Sequence, residues 1–293
     1  MQVRRSAQML VAAVLVMGLF VMSFLVAAYQ THALFLRTRS VVVREIAGAI
    51  TADFNRALAA MLALATRSYY DHYRFTDFTS NFEEYGLKPR DLNSAKDVAY
   101  RYLNAWANVQ RTVYAEYGVQ ISWHLCASPL PQNPKVYVYD LFLIFWNRTH
   151  DDRPYAASYA CAQLQLNITN AGFYHWTTNS LIGLVLIIDE INEESNSILF
   201  TVLADNGTYY GLLLAKGWVK VYLYRNDGWE TASIKDVTYE GLGRYNVTLD
   251  ESKGSSIKGS SRVLVVVSDE RGILVVTQQE TATSDEEQRG RRP

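Results

Sequence analysis

This sequence has no excess of charge of either sign, and it lacks most of the short motifs that are typical of enzymes. The 28 basic side chains are balanced by 29 acidic ones, which gives a net charge of −1. Such a chain has no overall field to hold a polyanion, so nucleic acid is not expected as a partner. The sequence contains no phosphate-binding loop, no G-x-S-x-G, no C-x-x-C and no H-E-x-x-H. We therefore expect a protein without catalytic residues, bound metal or cofactor.

Cysteine is nearly absent as well, because the chain contains only Cys126 and Cys161. An even pair in a β-rich exterior domain is typical of a disulfide, and two buried free thiols are the alternative. Four N-x-[ST] sequons, the candidates for glycosylation, lie in the same part of the chain at Asn147, Asn167, Asn206 and Asn246. Because all four follow residue 118, they favour exposure of the later part of the chain to a glycosylating compartment.

The most prominent feature that the sequence does contain is an uncharged apolar run over residues 9–29. As a helix this run covers roughly the ~30 Å hydrocarbon layer of a bilayer, so it predicts a transmembrane helix with membrane lipid as its partner. A cleaved secretory signal is the alternative, because Arg4 and Arg5 give residues 1–8 a basic character. Together with the sequons, the run predicts a single-pass protein of the cell membrane with its N-terminus inside and its C-terminal bulk extracellular.

Helical periodicity continues over residues 30–117, for which we predict a helical hairpin stalk. Apolar residues recur every three or four positions from Val42 to Tyr69, which indicates one buried face on a first helix. After a loop, Ser94 can cap a second helix. The apolar face expected for this second helix consists of Val98, Tyr102, Ala105, Trp106, Val109 and Val113.

From Gly118 onward, short apolar runs alternate with turn signals, and this pattern favours antiparallel strands. We predict a first β region over residues 118–195 and an immunoglobulin-like β-sandwich over residues 196–279. Residues 280–293 are polar and are expected to form a disordered tail. The fold class predicted for the whole chain is therefore a membrane-anchored α+β protein with a transmembrane helix, a helical hairpin stalk and an antiparallel β-sandwich.

Several strings in the last β region carry a resemblance to a known class of module. They are Asp205-Asn206-Gly207-Thr208, the strand starting at Val219, and Gly243-Arg244-Tyr245-Asn246-Val247-Thr248-Leu249. In this order they resemble the immunoglobulin-like modules of prokaryotic surface proteins. The whole chain resembles uncharacterised single-pass cell-surface proteins of archaea. This resemblance implies a place in the cell envelope, with an envelope protein or a glycan as partner.

A second resemblance concerns the N-terminus, where Arg5-Ser6-Ala7-Gln8 precedes the apolar run. A short basic leader, an apolar helix and a β head are also the parts of archaeal type IV pilins. In that family a charged residue and then glycine or alanine usually precede the cleavage point, and this sequence departs from the pattern. If cleavage followed Ala7, Ser6 would replace the charged residue, and if cleavage followed Ser6, Ser6 would replace the glycine or alanine. The resemblance implies a homo-oligomer, in which the apolar helix packs into the core of a filament.

The function predicted from these features is that of a non-catalytic cell-surface protein that acts in adhesion, envelope architecture or partner binding. A type IV pilin-like subunit of an extracellular filament is the first alternative. An exterior sensor or hydrolase domain is the second, and it would require polar groups that converge in a pocket.

Overall fold

A computed structural model of the chain describes residues 2–72, 89–126, 128–129, 137–138, 142–150, 153–205, 208–209, 216–226 and 228–281. Within the first helix, the side chains it describes are those of residues 17–31 and 41–70. The sequon at Asn206 and the predicted tail beyond residue 281 lie outside the described residues.

The first helix, α1 (Gln2–His72), is a single continuous element of 71 residues. Its predicted apolar face is confirmed, because the side chains on that face are buried throughout the second half of the helix. The buried residues of the predicted stripe are Ile46, Ile50, Phe54, Leu58, Met61, Ala65 and Tyr69, while at its start Val43 is buried and the predicted Val42 is half-buried; Leu62 is also buried. These residues recur at intervals of three and four, so they form one stripe that the rest of the fold covers.

The second helix, α2 (Pro89–Val113), packs on α1 with a different face from the one predicted. Its buried side chains are those of Ala95, Ala99, Leu103 and Ala107. Of the predicted face, Trp106 packs against α1 and Val98 is half-buried, whereas the side chains of Tyr102, Val109 and Val113 point outward and are 37%, 56% and 62% exposed. Alanine is short, so this seam lets the two helix backbones approach closely, and contact with α1 outweighs the larger apolar side chains on the other face.

The seam between the two helices contains one polar junction, centred on Asp53. The indole Nε1 of Trp106 donates to Asp53 Oδ2 at 2.8 Å, and the amide of Gln110 donates to the same oxygen at 2.5 Å. The ring centroids of Trp106 and Phe54 lie 5.5 Å apart beside this junction. Since Trp106 and Gln110 lie near the end of α2, and Asp53 lies in the later part of α1, the junction fixes how far α2 runs back along α1.

We expect the substitution Asp53→Ala to lower the free energy of unfolding by about 1–3 kcal/mol, because two donors lose a charged acceptor. The measurement is urea unfolding followed by far-UV circular dichroism. The matched control is Asp97→Ala, which removes an exposed carboxylate from α2 and should change the free energy by no more than about 0.5 kcal/mol. Equal effects of the two substitutions would contradict a structural role for the junction.

Three antiparallel sheets make up the β part of the described chain. The largest sheet has the order β1-β5-β6-β7-β12-β11, with β4 also paired to β5 and β8 to β7. Its strands are β1 (Val119–Leu125), β4 (Phe142–His150), β5 (Arg153–Ile168), β6 (Phe173–Asn192), β7 (Ser197–Ala204), β8 (Thr208–Tyr209), β11 (Ile234–Gly241) and β12 (Arg244–Leu249). The second sheet has the order β10-β9-β13-β14, from β9 (Val219–Arg225), β10 (Gly228–Ala232), β13 (Arg262–Ser268) and β14 (Leu274–Glu280). The short strands β2 (Ser128–Pro129) and β3 (Tyr137–Val138) form the third.

The large sheet draws strands from both predicted β regions, because β6 and β7 pair across residue 195. The long strand β5 lies next to the edge of this sheet, with the edge strands β4 and β1 paired to its first and second halves and β6 on its other side. Toward the main core β5 presents small side chains, those of Ala156, Ser158, Ala160 and Ala162. Because they are small, both α1 and β14 can pack closely on this strand.

One hydrogen-bonded chain holds α1, β5 and β14 together at this place. The buried Ser158 Oγ donates to the carbonyl of Leu274 at 2.7 Å, and the amide of Leu274 donates to Thr66 Oγ1 at 3.2 Å. Thr66 in turn donates to the carbonyl of Ala63 in its own helix at 3.1 Å. The helix, the large sheet and the second sheet therefore share one core.

This arrangement corrects the predicted membrane-anchored architecture. The helices are not a stalk set apart from a β module, because the apolar stripe of α1 and the core face of the large sheet cover each other. The fold is mostly antiparallel β with helices packed on it. An amphipathic helix and a one-sided sheet gain free energy by burying their apolar faces together, and this drives the helices onto the sheet.

The predicted transmembrane helix is contradicted too. Within the part of the chain that the structure describes, no helix has both the length and the apolar character needed to cross a membrane. The prediction of a single-pass cell-membrane protein with its N-terminus inside is therefore not supported.

Candidate functional site

The part of α1 over residues 17–31, called the free segment below, has every side chain exposed. Nine of its large hydrophobic side chains are between 54% and 76% exposed: Met17, Leu19, Phe20, Val21, Met22, Phe24, Leu25, Val26 and Tyr29. Successive residues of an α-helix point about 100° apart, so nine positions within thirteen residues cover all sides of the cylinder. The free segment is therefore apolar around its whole circumference, unlike the one-sided stripe farther along the same helix.

Two of the three hydroxyl side chains of the free segment, those of Ser23 and Thr31, are satisfied by the helix itself, and the third is that of Tyr29. Ser23 Oγ donates to the carbonyl of Leu19 at 2.8 Å, and Thr31 Oγ1 donates to the carbonyl of Ala27 at 2.8 Å. A polar group that already has an internal partner can leave water at little cost, whereas an unpartnered one cannot. The free segment can thus be surrounded by apolar groups without leaving these hydroxyls unsatisfied.

The rest of α1 holds the free segment in a defined direction. Burial begins at Val43, and from there the helix packs on α2 and on strands β5 and β6. No break in the helix separates the packed part from the free segment. The free segment is therefore presented by a rigid support rather than by a flexible linker.

In the structure, Cys126 and Cys161 form the disulfide that the sequence predicted, and it connects the end of β1 with the middle of β5. The amide of Cys126 also donates to the carbonyl of Cys161 at 3.0 Å. Cys161 belongs to a small apolar cluster on the other face of the large sheet, together with Ala157, Tyr159 and Val185. The pair thus fastens the edge strand β1 to β5 in addition to their backbone hydrogen bonds.

Three of the four predicted glycosylation asparagines lie in strands of the large sheet. Asn147 pairs with Ala156 of β5. Asn167 is half-buried, and its Oδ1 accepts a hydrogen bond from the amide of His175 at 2.7 Å. Asn246 donates from Nδ2 to Glu240 Oε1 at 3.3 Å. Glycosylation of these side chains stays a prediction.

A cleft between the end of α1 and the second sheet is the feature that the sequence reasoning missed. Its volume is about 380 Å³. Side chains from α1, from the segment before β9, from β13 and from the turn between β13 and β14 surround it, and they include Arg67, Tyr70, Trp218 and Lys220. No signal in the sequence could have identified it, because these residues come from segments that only the fold brings together.

Beside the cleft, Arg271 in the β13–β14 turn connects the two large sheets. Its Nε donates to Asp269 Oδ2 at 2.6 Å and its Nη1 to Asp205 Oδ1 at 2.7 Å. Its Nη2 also donates to the carbonyl of Gly183 in β6 at 3.1 Å. Burial alone would lower the pKa of Arg271, but the two carboxylates outweigh it and raise that pKa above its ordinary value. The guanidinium therefore stays charged.

A tyrosine pair on the other side of the cleft joins α1 to β9. The hydroxyls of Tyr70 and Tyr222 lie 3.0 Å apart. Burial raises the pKa of the Tyr222 hydroxyl, and the hydrogen bond with Tyr70 offsets part of this increase. The Lys220 ammonium lies 5.5 Å from the centre of the Tyr70 ring. These contacts fix the position of Tyr70 in the wall of the cleft.

Comparison with protein-family models, with curated proteins and with solved structures finds no match in any of the three. The resemblances to archaeal surface proteins and to type IV pilins therefore stay predictions. What the chain does must be inferred from the free segment and the cleft. In the described residues, no group of three or more histidine, cysteine, aspartate or glutamate side chains is placed to hold a metal ion.

Proposed function

We propose that this protein is a structural subunit that assembles with copies of itself through the free segment of α1. The observation that carries the proposal is the exposure of nine large hydrophobic side chains on all sides of one rigid helix. A helix that is apolar around its whole circumference is stable in water only when it is covered on every side. A large apolar side chain gains about 1.5–3 kcal/mol on full burial, so association of such segments is strongly favoured.

The all-round distribution favours several neighbours over one. A two-stranded coiled coil buries only one narrow stripe on each helix and would leave the opposite face of the free segment in water. Phe20 and Met22 lie about 200° apart on the helix, and both are exposed. Packing of both side chains at once requires several helices around each one. A bundle of this kind, with the β parts outside, agrees with the filament subunit that the pilin resemblance implies.

The two internally satisfied hydroxyls support the same proposal. In a bundle of apolar helices, Ser23 and Thr31 would face neighbouring chains rather than water, and their bonds to the carbonyls of Leu19 and Ala27 leave neither of these two donors unsatisfied. A copy of the same chain supplies a partner of the right length and apolar character without any further protein.

The test is the size distribution of the full chain in buffer without detergent, measured by sedimentation velocity and electron microscopy. We expect discrete assemblies or filaments. Phe20→Arg and Met22→Arg, each made alone, should each raise the dissociation constant at least ~100-fold, because each buries a charge without a partner. Leu242→Arg is the matched control, because Leu242 is exposed to a similar extent but lies in a turn between strands. It should leave the assembly unchanged.

Three outcomes would overturn the proposal. The first is a wild-type chain that stays monomeric at micromolar concentration, whether or not it binds lipid vesicles. The second is assembly that Phe20→Arg abolishes and Met22→Arg leaves intact, since this indicates a single seam. The third is disruption by Leu242→Arg to the same degree. Near-UV circular dichroism of each variant shows whether the β part has kept its fold.

A further inference from the structure

The cleft between α1 and the second sheet has the size of a site for one small ligand. Its volume of about 380 Å³ lies near the lower end of the usual range for ligand sites, roughly 300–1,000 Å³. Lys220 and Val266, neighbours across β9 and β13, form part of its surface. Arg67 and Tyr70 of α1 and Trp218 of the segment before β9 line it as well. These dimensions suit one sugar ring rather than a long chain.

The charges in the cleft favour an anionic group on the ligand. Arg67 and Lys220 are both exposed and both line it. Among the residues that the structure describes, neither has a carboxylate within 4.0 Å. Two carboxylates line the cleft as well: Asp269 is paired with Arg271, which also binds Asp205, and Glu270 lies in the β13–β14 turn. Two cations that lack a carboxylate partner attract a carboxylate on the ligand, and an arginine can bind it in bidentate fashion.

Aromatic rings in the cleft favour a ligand that also has an apolar ring face. Trp218 is half-buried, and Tyr70 is held by its contacts with Tyr222 and Lys220. An indole or phenol ring packs well against the C–H face of a sugar, and its polar edge remains available for hydrogen bonds. Ser268 and Glu270, also in the lining, supply oxygen atoms that can accept from sugar hydroxyls.

The walls of the cleft are fixed before any ligand binds. Asp269 Oδ1 accepts from the amides of Arg271 and Ile273, and Arg271 ties this turn to Asp205. A Cβ added at Gly272 would lie 3.8 Å from Ala63 and 3.9 Å from Arg67, so the turn lies directly against α1. A preformed site loses little conformational entropy on binding, and this matters most for a small ligand.

We propose that the cleft binds an acidic monosaccharide unit, a six-membered sugar that carries a carboxylate. Arg67 and Lys220 hold the carboxylate, Trp218 packs against the ring, and the β13–β14 turn accepts from the hydroxyls. This binding does not depend on self-association through the free segment. It adds recognition of an acidic glycan to a structural subunit.

The experiment uses the full chain and D-glucuronate as the probe, with D-glucose and acetate as probes for the ring alone and the charge alone. Calorimetric titration should show that glucuronate binds at least ~10-fold more tightly than either, a difference of about 1.4 kcal/mol. Arg67→Gln and Lys220→Gln should each weaken glucuronate binding at least ~10-fold, and higher salt should weaken it as well. Trp218→Leu should weaken glucuronate binding and leave acetate unchanged.

Arg56→Gln is the matched control, because Arg56 is also an exposed arginine of α1 but does not line the cleft. It should leave the affinity for glucuronate within ~2-fold. Lys220→Arg, which keeps the charge, should retain binding and so exclude misfolding as the cause of a loss in Lys220→Gln. No binding of glucuronate, equal binding of acetate and glucuronate, or binding that survives both Arg67→Gln and Lys220→Gln would each overturn the proposal.

Discussion

The substitution Arg271→Met is expected to lower the free energy of unfolding by about 3–5 kcal/mol. Methionine is similar to arginine in length but removes the hydrogen bonds to Asp269, Asp205 and the carbonyl of Gly183. The side chain of Asp269 is fully buried, so its carboxylate would then stay in the interior without a cation. An uncompensated buried charge is among the few causes of so large an effect from one substitution.

The physical reason extends beyond one ion pair, because Arg271 connects elements that are distant in sequence. Asp269 lies in the turn between β13 and β14, and Asp205 follows β7 in the other large sheet. Asp205 Oδ1 also accepts from the amide of Gly183 at 3.1 Å. Loss of the guanidinium therefore weakens the attachment of the second sheet to the first.

The measurement is chemical denaturation of the wild type and of the variants Arg271→Met, Asp269→Asn and the two combined. Asparagine keeps the Oδ1 that accepts from the amides of Arg271 and Ile273 but removes the charge. We therefore expect the double variant to be more stable than Arg271→Met alone by at least ~1 kcal/mol, a favourable coupling. Additive losses would contradict this account.

The control for Arg271→Met is Arg56→Met. Arg56 has one ion pair, a contact of 4.0 Å to Asp53, and its side chain is largely exposed. Surface pairs of this kind contribute about 0–1 kcal/mol. If Arg56→Met lowered the free energy of unfolding as much as Arg271→Met, the effect would not depend on the hydrogen bonds of Arg271 to Asp269, Asp205 and Gly183.

Removal of the disulfide by Cys126→Ala together with Cys161→Ala is the second large effect. The two cysteines are 35 residues apart. Closure of a loop of this size lowers the entropy of the unfolded chain, and the chain-entropy expression gives a loss of about 3–4 kcal/mol when the bond is absent. The bond also fastens β1, an edge strand of the large sheet, so fraying of β1 should accompany the loss.

Thermal unfolding of the double variant and of the wild type with and without reductant measures this effect. The reduced wild type should unfold at the temperature of the double variant, and further reductant should not change the double variant. Hydrogen exchange should show faster exchange in β1 than in the central strand β6, which pairs on both sides. An unfolding temperature of the wild type that does not respond to full reduction would contradict the prediction.

Local patterns predicted the elements well where burial follows a simple period. The apolar stripe was predicted from Val42 to Tyr69, and it is buried from Ile46 onward, because a long helix against a large core shows the full three- and four-residue spacing. The antiparallel strands predicted from Gly118 onward are observed, and the first of them, β1, begins at Val119. The extent of β6 was not predicted, since only its apolar centre carries a strand signal and its ends are half-exposed.

The helix α2 shows why a pattern alone can fail. Its larger apolar side chains, among them Tyr102 and Val109, pointed to one face, whereas the helix packs through Ala99 and Leu103 on another. Which face is buried depends on the shape of the partner helix, and the α2 sequence contains no information on that shape. The exposed fractions of these side chains therefore became known only from the tertiary structure.

By itself, the sequence determined the apolar character of residues 9–29, the buried face of α1, most strand positions and the balance of charge. All of these follow from the chemistry of neighbouring residues. The tertiary structure alone decided that the helices pack on the sheet, that Arg271 joins the two sheets, and that Arg67 and Lys220 line one cleft. The physical reason is that contacts between distant segments depend on how complete surfaces fit together, and periodicity within one segment does not encode that fit.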